Sequence, residues 1–131
     1  MMVHSADHVK FTDMPLLQSL TVEARRPNLL VAVEEHTTDA VLTSLKRLCQ
    51  EPIVECTLPG ALRLPTSGAG TLLLHDVAAL TIGQQIELFD WMGDRGNTQV
   101  VSVTETSVLE LIRDRRFLER LFYRLNTVFV V

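Results

Sequence analysis

Residues 70–77, GTLLLHDV, constrain this chain more than any other stretch. An apolar run entered through glycine and left through two polar residues has the pattern of a strand buried on both faces. Such a strand delivers its last side chains to the carboxyl edge of a parallel sheet. Ligands of open α/β sheets sit at that edge. The stretch therefore sets two expectations together: the class of fold, and a place for chemistry at His75 and Asp76.

Runs rich in aliphatic and β-branched residues recur at 28–33 (NLLVAV), 53–57, 99–103 and 127–131, and each predicts a strand. Helical spacing separates them. Leu16, Leu17, Leu20 and Val22 predict a short helix over 14–24, ended by Arg25-Arg26-Pro27. After the loop Glu34-Glu35-His36, Thr37 or Thr38 is placed to cap a second helix by accepting a bond from its free amides. Val41, Leu45, Leu48 and Cys49 give that helix one apolar face, and Pro52 stops it. Ile82, Ile86, Phe89 and Met92 predict a helix over 82–92. A short helix near 108–112 precedes the arginine-rich segment 113–124, in which Phe117, Leu118, Leu121, Phe122 and Leu125 form an apolar face opposite the arginines. The Pro-, Gly- and Ser-rich run 58–69 and the turn 93–97 read as connections. Strands alternating with helices predict a three-layer α/β/α fold around a five-stranded, mainly parallel sheet with right-handed crossovers.

A chain of 131 residues, 47% of them hydrophobic, is long enough for one buried core and too short for two. The domain is expected over 14–131, and the polar, patternless residues 1–13 are read as a flexible lead-in. His4 and His8 stand four apart there, but no helix is indicated to align them. Twelve Lys and Arg against sixteen Asp and Glu give a net charge of −4, which does not draw nucleic acid or anionic membrane to the surface as a whole. No apolar run approaches the roughly 18 residues of a membrane span, and the first ten residues lack a signal-peptide core. A cytoplasmic setting is expected, with Cys49 and Cys56 as reduced, buried thiols.

Two stretches resemble the AAA+ domain of sigma-54-dependent bacterial transcription activators. GTLLLHDVAALTIGQQIELFDWM is similar to that family's Walker-B strand, roughly GTLFLDEI, and the helix after it, and shares its glutamine at Gln85. RRFLERLFYRLN is similar to the family's GRFREDLYYRLN, matching at Phe117, Glu119, Leu121, Tyr123, Arg124, Leu125 and Asn126. The two cover about a quarter of the chain in the family's order. The resemblance implies a P-loop NTPase/AAA+-like core, and one lacking the family's helical lid.

The same resemblance implies lost chemistry. The family's phosphate loop, GETGTGKE, has its place at residues 32–39, which read AVEEHTTD with neither glycine nor lysine. Residues other than glycine resist the positive φ angles of a phosphate nest. Glu34, Glu35 and Asp39 would face the phosphates beside Thr37 and Thr38. One like-charge contact near 4 Å costs about 1 kcal/mol in water and more when partly buried. His75 takes the place of the magnesium-holding aspartate, and a neutral imidazole is a poor partner for a hard cation. Asp76 takes the place of the water-polarising glutamate, with a shorter reach. In the sensor segment Thr104 matches, while Glu105 replaces asparagine. Of the family's two arginines that act across a subunit boundary, one position is Leu118 and only Arg124 is kept. The connection from Cys56 to Gly70 has no room for the GAFTGA loop that engages sigma-54.

The expected function is a catalytically silent module, not an enzyme, acting in transcription regulation or signalling through protein–protein contacts. ATP and magnesium binding are expected to be lost, and no metal site is assigned. The partner is a protein, either an intact AAA+ activator or the chain itself. Neither sigma-54 remodelling nor membrane or DNA binding is expected. Arg113, Arg115, Arg116 and Arg120 form the candidate interaction surface. One alternative is a weak residual ATP switch using Asp76, Thr104 and Arg124. Another is a receiver-like signalling domain, with Glu34 and Glu35 as its acidic pair and Thr104 as its switch threonine. A first strand lying between the fifth and fourth favours the AAA+ order over the receiver order.

Overall fold

Five strands, β1 (Leu29–Ala32), β2 (Ile53–Thr57), β3 (Thr71–His75), β4 (Gln99–Thr104) and β5 (Val128–Val130), form one sheet in the order β2-β3-β4-β1-β5. Every pairing between them is parallel. The computed structural model describes residues 8–22, 26–66, 69–94 and 96–131. β1 lies between β5 and β4, which is the AAA+ order and corrects the receiver-like alternative.

β3 shows why the apolar run was so constraining. Leu72 and Leu74 enter one core cluster, Leu73 enters the other, and none of the three is exposed. Successive side chains of a strand point to opposite faces, so a strand between two helical layers is apolar at every position. Burying each leucine contributes about 1.5–3 kcal/mol. Gly70 admits the chain to β3 where a Cβ would stand 2.5 Å from the Gln50 carbonyl oxygen.

One face is covered by α1 (Met14–Val22) and α2 (Thr38–Leu48), through Leu17, Leu42, Leu45 and Cys49. The other is covered by α3 (Ile82–Met92), α4 (Val108–Arg113), α5 (Glu119–Leu125) and the turn between α4 and α5, through Leu88, Met92, Val108, Phe117, Leu121, Phe122 and Leu125. β2 passes to β3 without a described helix. Leu58, Leu62 and Leu64 of this connection pack on the same core, and the Trp91 indole N–H on α3 donates to the Pro65 carbonyl at 2.8 Å.

Several local expectations are corrected. Leu42 joins Leu45 and Cys49 as the buried stripe of α2, while Val41 and Leu48 pack against it partly buried. Thr37 precedes α2 but does not cap it: its hydroxyl turns back to the Glu34 carbonyl at 2.7 Å. On α3 the stripe is rotated, so Ile82 and Ile86 are exposed while Gln85, Leu88 and Met92 are buried. Thr81 and Gln84 start α3 with a capping box. The arginine-rich segment is not one helix face; α4 ends at Arg113, and a turn intervenes before α5. Of the lead-in expected to be flexible, residues 1–7 lie outside the described residues. Val9 and Phe11 are tied to the outer edge of β5 by backbone bonds with Phe129 and Val131. Among the described residues no helix is long and apolar enough to cross a membrane.

Candidate functional site

The carboxyl edge of the sheet gathers the ends of β1, β3 and β4. Past β1, the Val33 N–H donates to the Thr104 carbonyl at 2.9 Å, and the chain then turns through Glu34-Glu35-His36-Thr37. The Thr37 N–H closes that turn on the Glu34 carbonyl at 3.1 Å, with His36 at φ 76°. This is the third position of a turn, where positive φ ordinarily selects glycine or asparagine.

α2 begins immediately, and the Thr38 hydroxyl donates to the Glu105 carboxylate at 2.5 Å. Glu105 thereby brings a negative charge to the first turn of α2, which already holds Asp39 and whose free amides favour anions. Thr104 is committed to its own turn: its hydroxyl donates to the Thr106 carbonyl at 2.7 Å and accepts from the Thr106 N–H at 3.0 Å. Asp76, exposed and left-handed at φ 60°, leads into a 3-10 turn over Val77–Ala79. Partial burial first, and the Glu105 carboxylate second, push its carboxyl above the ordinary aspartate range. The edge is thus a place where carboxylates meet.

His75 faces away from that meeting. Its Nε2 stands 3.0 Å from the Glu55 carboxylate without the alignment of a hydrogen bond, and its Nδ1 is 3.4 Å from the Thr57 hydroxyl. The same Glu55 oxygen pairs with Lys46 of α2 at 3.0 Å. The register that sets Thr57 beside His75 produces this arrangement. Among the described residues no group of three or more His, Cys, Asp or Glu is placed to hold a metal ion.

Arg124 is not at this edge. Its carbonyl accepts from the Asn28 amide, next to the first residue of β1 and hence at the opposite end of the sheet. Its guanidinium lies 3.9 Å from the Phe89 ring centre and donates to the Phe89 carbonyl at 2.9 Å. The structure therefore brings together Thr38, Asp76 and Glu105, and leaves His75 and Arg124 in separate clusters.

Two residues, and the bonding role of a third already matched to the family's glutamine, were not foreseen from sequence. Glu55 and Lys46 carry no local signal. Gln85 carried one: positions 85, 88 and 92 share a helix face, but an amide there does not look like core. Its Nε2 donates to the carbonyls of Leu80 and Arg116, both at 3.1 Å, and its Oε1 accepts from the Leu118 N–H at 2.8 Å.

The parallel sheet, its strand order and its two helical layers define the P-loop NTPase/AAA+ fold. Solved structures with this fold include NtrX from Brucella abortus in complex with ATP, at a TM-score of 0.68 and 15% identity, covering 88% of this chain and 35% of that one. NtrX in complex with ADP gives 0.68 and 16%, covering 99% and 36%. The P-loop NTPase domain of the sigma-54 transport activator from E. coli gives 0.60 and 18%, covering 84% and 98%. The chain thus spans about a third of the length of NtrX. At these identities the likeness is one of fold. No protein-family model and no curated protein matches the chain.

Proposed function

We propose that this chain is a catalytically silent module of the sigma-54-activator AAA+ kind, acting in transcription regulation through contacts with a protein partner, in the cytoplasm. One observation carries the silent half of this reading. Where a phosphate loop would wrap its ligand, the turn from Glu34 to Thr37 closes on its own backbone, and Thr38 donates to Glu105. A triphosphate seated there would have to displace one carboxylate and face Glu34, Glu35 and Asp39 as well, each at a Coulombic cost. The partner is an intact activator or a second copy of the chain.

The test is calorimetric titration with ATP and magnesium. No saturable heat is expected at micromolar nucleotide; saturable micromolar binding would remove the reading. The alternative of a residual ATP switch drew on Asp76, Thr104 and Arg124. Thr104 is engaged in its turn and Arg124 lies at the far end of the sheet, so those three do not form a single site within one chain.

A further inference from the structure

Arg113 ends α4, Arg120 lies on α5, and Arg115 and Arg116 occupy the turn between them. The turn is a Schellman closure: the Arg115 N–H donates to the Ile112 carbonyl at 3.0 Å and the Arg116 N–H to the Leu111 carbonyl at 2.8 Å. Arg115 takes the left-handed position, at φ 60°. Glycine is the usual occupant, because any Cβ there crowds the following carbonyl. Arginine also lacks the short polar group with which asparagine bonds locally to offset that crowding.

The strain has no route of relaxation. Gln85, with no exposed surface, holds the Arg116 carbonyl and the Leu118 N–H, and Phe117 between them is buried. Strained backbone persists where its surroundings over-determine it, and such places cluster at binding surfaces. Arg113, Arg115 and Arg116 are all exposed, and among the described residues no carboxylate pairs with any of them. Arg120 and Arg124, in contrast, lie over Phe89. Leu109, 57% exposed, stands one helical turn before Arg113 on the same face.

We infer that the α4–α5 turn is a pre-organised docking surface for an acidic protein segment bearing carboxylate side chains. The inference rests on the reading of the chain as a contact module and adds the chemistry of the partner. Three guanidiniums with no described carboxylate within ion-pair distance, outnumbering Glu110 and Asp114 of the same segment, present forks that match carboxylates, and Leu109 supplies an apolar anchor beside them. A net charge of −4 opposes a long polyanion such as nucleic acid, whereas a short acidic segment meets only the local field.

A fluorescein-labelled poly-glutamate peptide is titrated by anisotropy against the wild-type chain and Arg115→Gly, and both proteins are melted. The variant is expected to melt about 2–5 °C higher, from relief of the left-handed strain. It is expected to bind the peptide about fivefold more weakly, from loss of one charge contact. Higher melting with unchanged affinity, lower melting, or no binding by the wild type overturns the proposal. So does tighter binding of a DNA duplex than of the peptide. The ATP titration is read separately: nucleotide binding would remove the silent-site reading without touching the peptide result, and loss of peptide binding would leave the silent site standing.

Discussion

Gln85 decides how the chain runs after α4. Its amide makes three backbone hydrogen bonds, two of them to Arg116 and Leu118, while the side chain has no exposed surface. Replacing it with leucine would keep the volume and strip the partner from one buried carbonyl, one partly buried carbonyl and one partly buried N–H. Each orphaned group costs roughly 1–3 kcal/mol, so Gln85→Leu is expected to lose about 2–4 kcal/mol, read from the urea midpoint at unchanged m-value. Sequence pattern reaches this residue only halfway. Helical spacing places it on the buried side with Leu88 and Met92, yet the exposed Ile82 and Ile86 look like the better core, because hydropathy ranks side chains without knowing which backbone groups need a partner.

At the scale of elements, β3 and α3 run over the residues their patterns predict, because strict burial and a capping box fix both ends. The segment 113–124 did not, since its break contains neither glycine nor proline and is made by an arginine in a left-handed turn. The lead-in misled for a related reason: Val9 and Phe11 bond to β5 through backbone, which carries no side-chain signature. The β1–α2 turn holds a second strained position. His36 stands at φ 76°, and His36→Gly removes the crowding of its Cβ, with an expected gain of about 1 kcal/mol in thermal or urea unfolding. The gain should come without nucleotide binding, because Glu34, Glu35, Asp39 and Glu105 stay in place.

Across the whole molecule, the layer arrangement and strand order were legible from alternating strands and helices together with the two resembling stretches. The edge residues Thr38, Asp76, Thr104 and Glu105 were legible as positions; their partners were not. That His75 turns to Glu55 depends on strand register, a pairing between segments far apart in sequence. Global stability carries its own pH signature. Burial, only partly offset by a hydrogen bond with Thr71 and by the charge of Arg26, lifts the Cys49 thiol from 9.0 to about 11. The folded state then holds a proton that the unfolded state releases above pH 9. Stability is fully present below pH 9 and should fall as pH climbs toward 11, by roughly 2–3 kcal/mol once complete. Urea unfolding on either side of pH 9 measures the slope, and Cys49→Ala should flatten it.

Trp91 is the sole indole of the chain, and it is fastened to the Pro65 carbonyl of the β2–β3 connection instead of standing deep in the core. Its emission is therefore a built-in gauge of whether that connection is seated on α3. Quenching that rises before far-ultraviolet dichroism changes would mark the loop lifting while the strands are still paired.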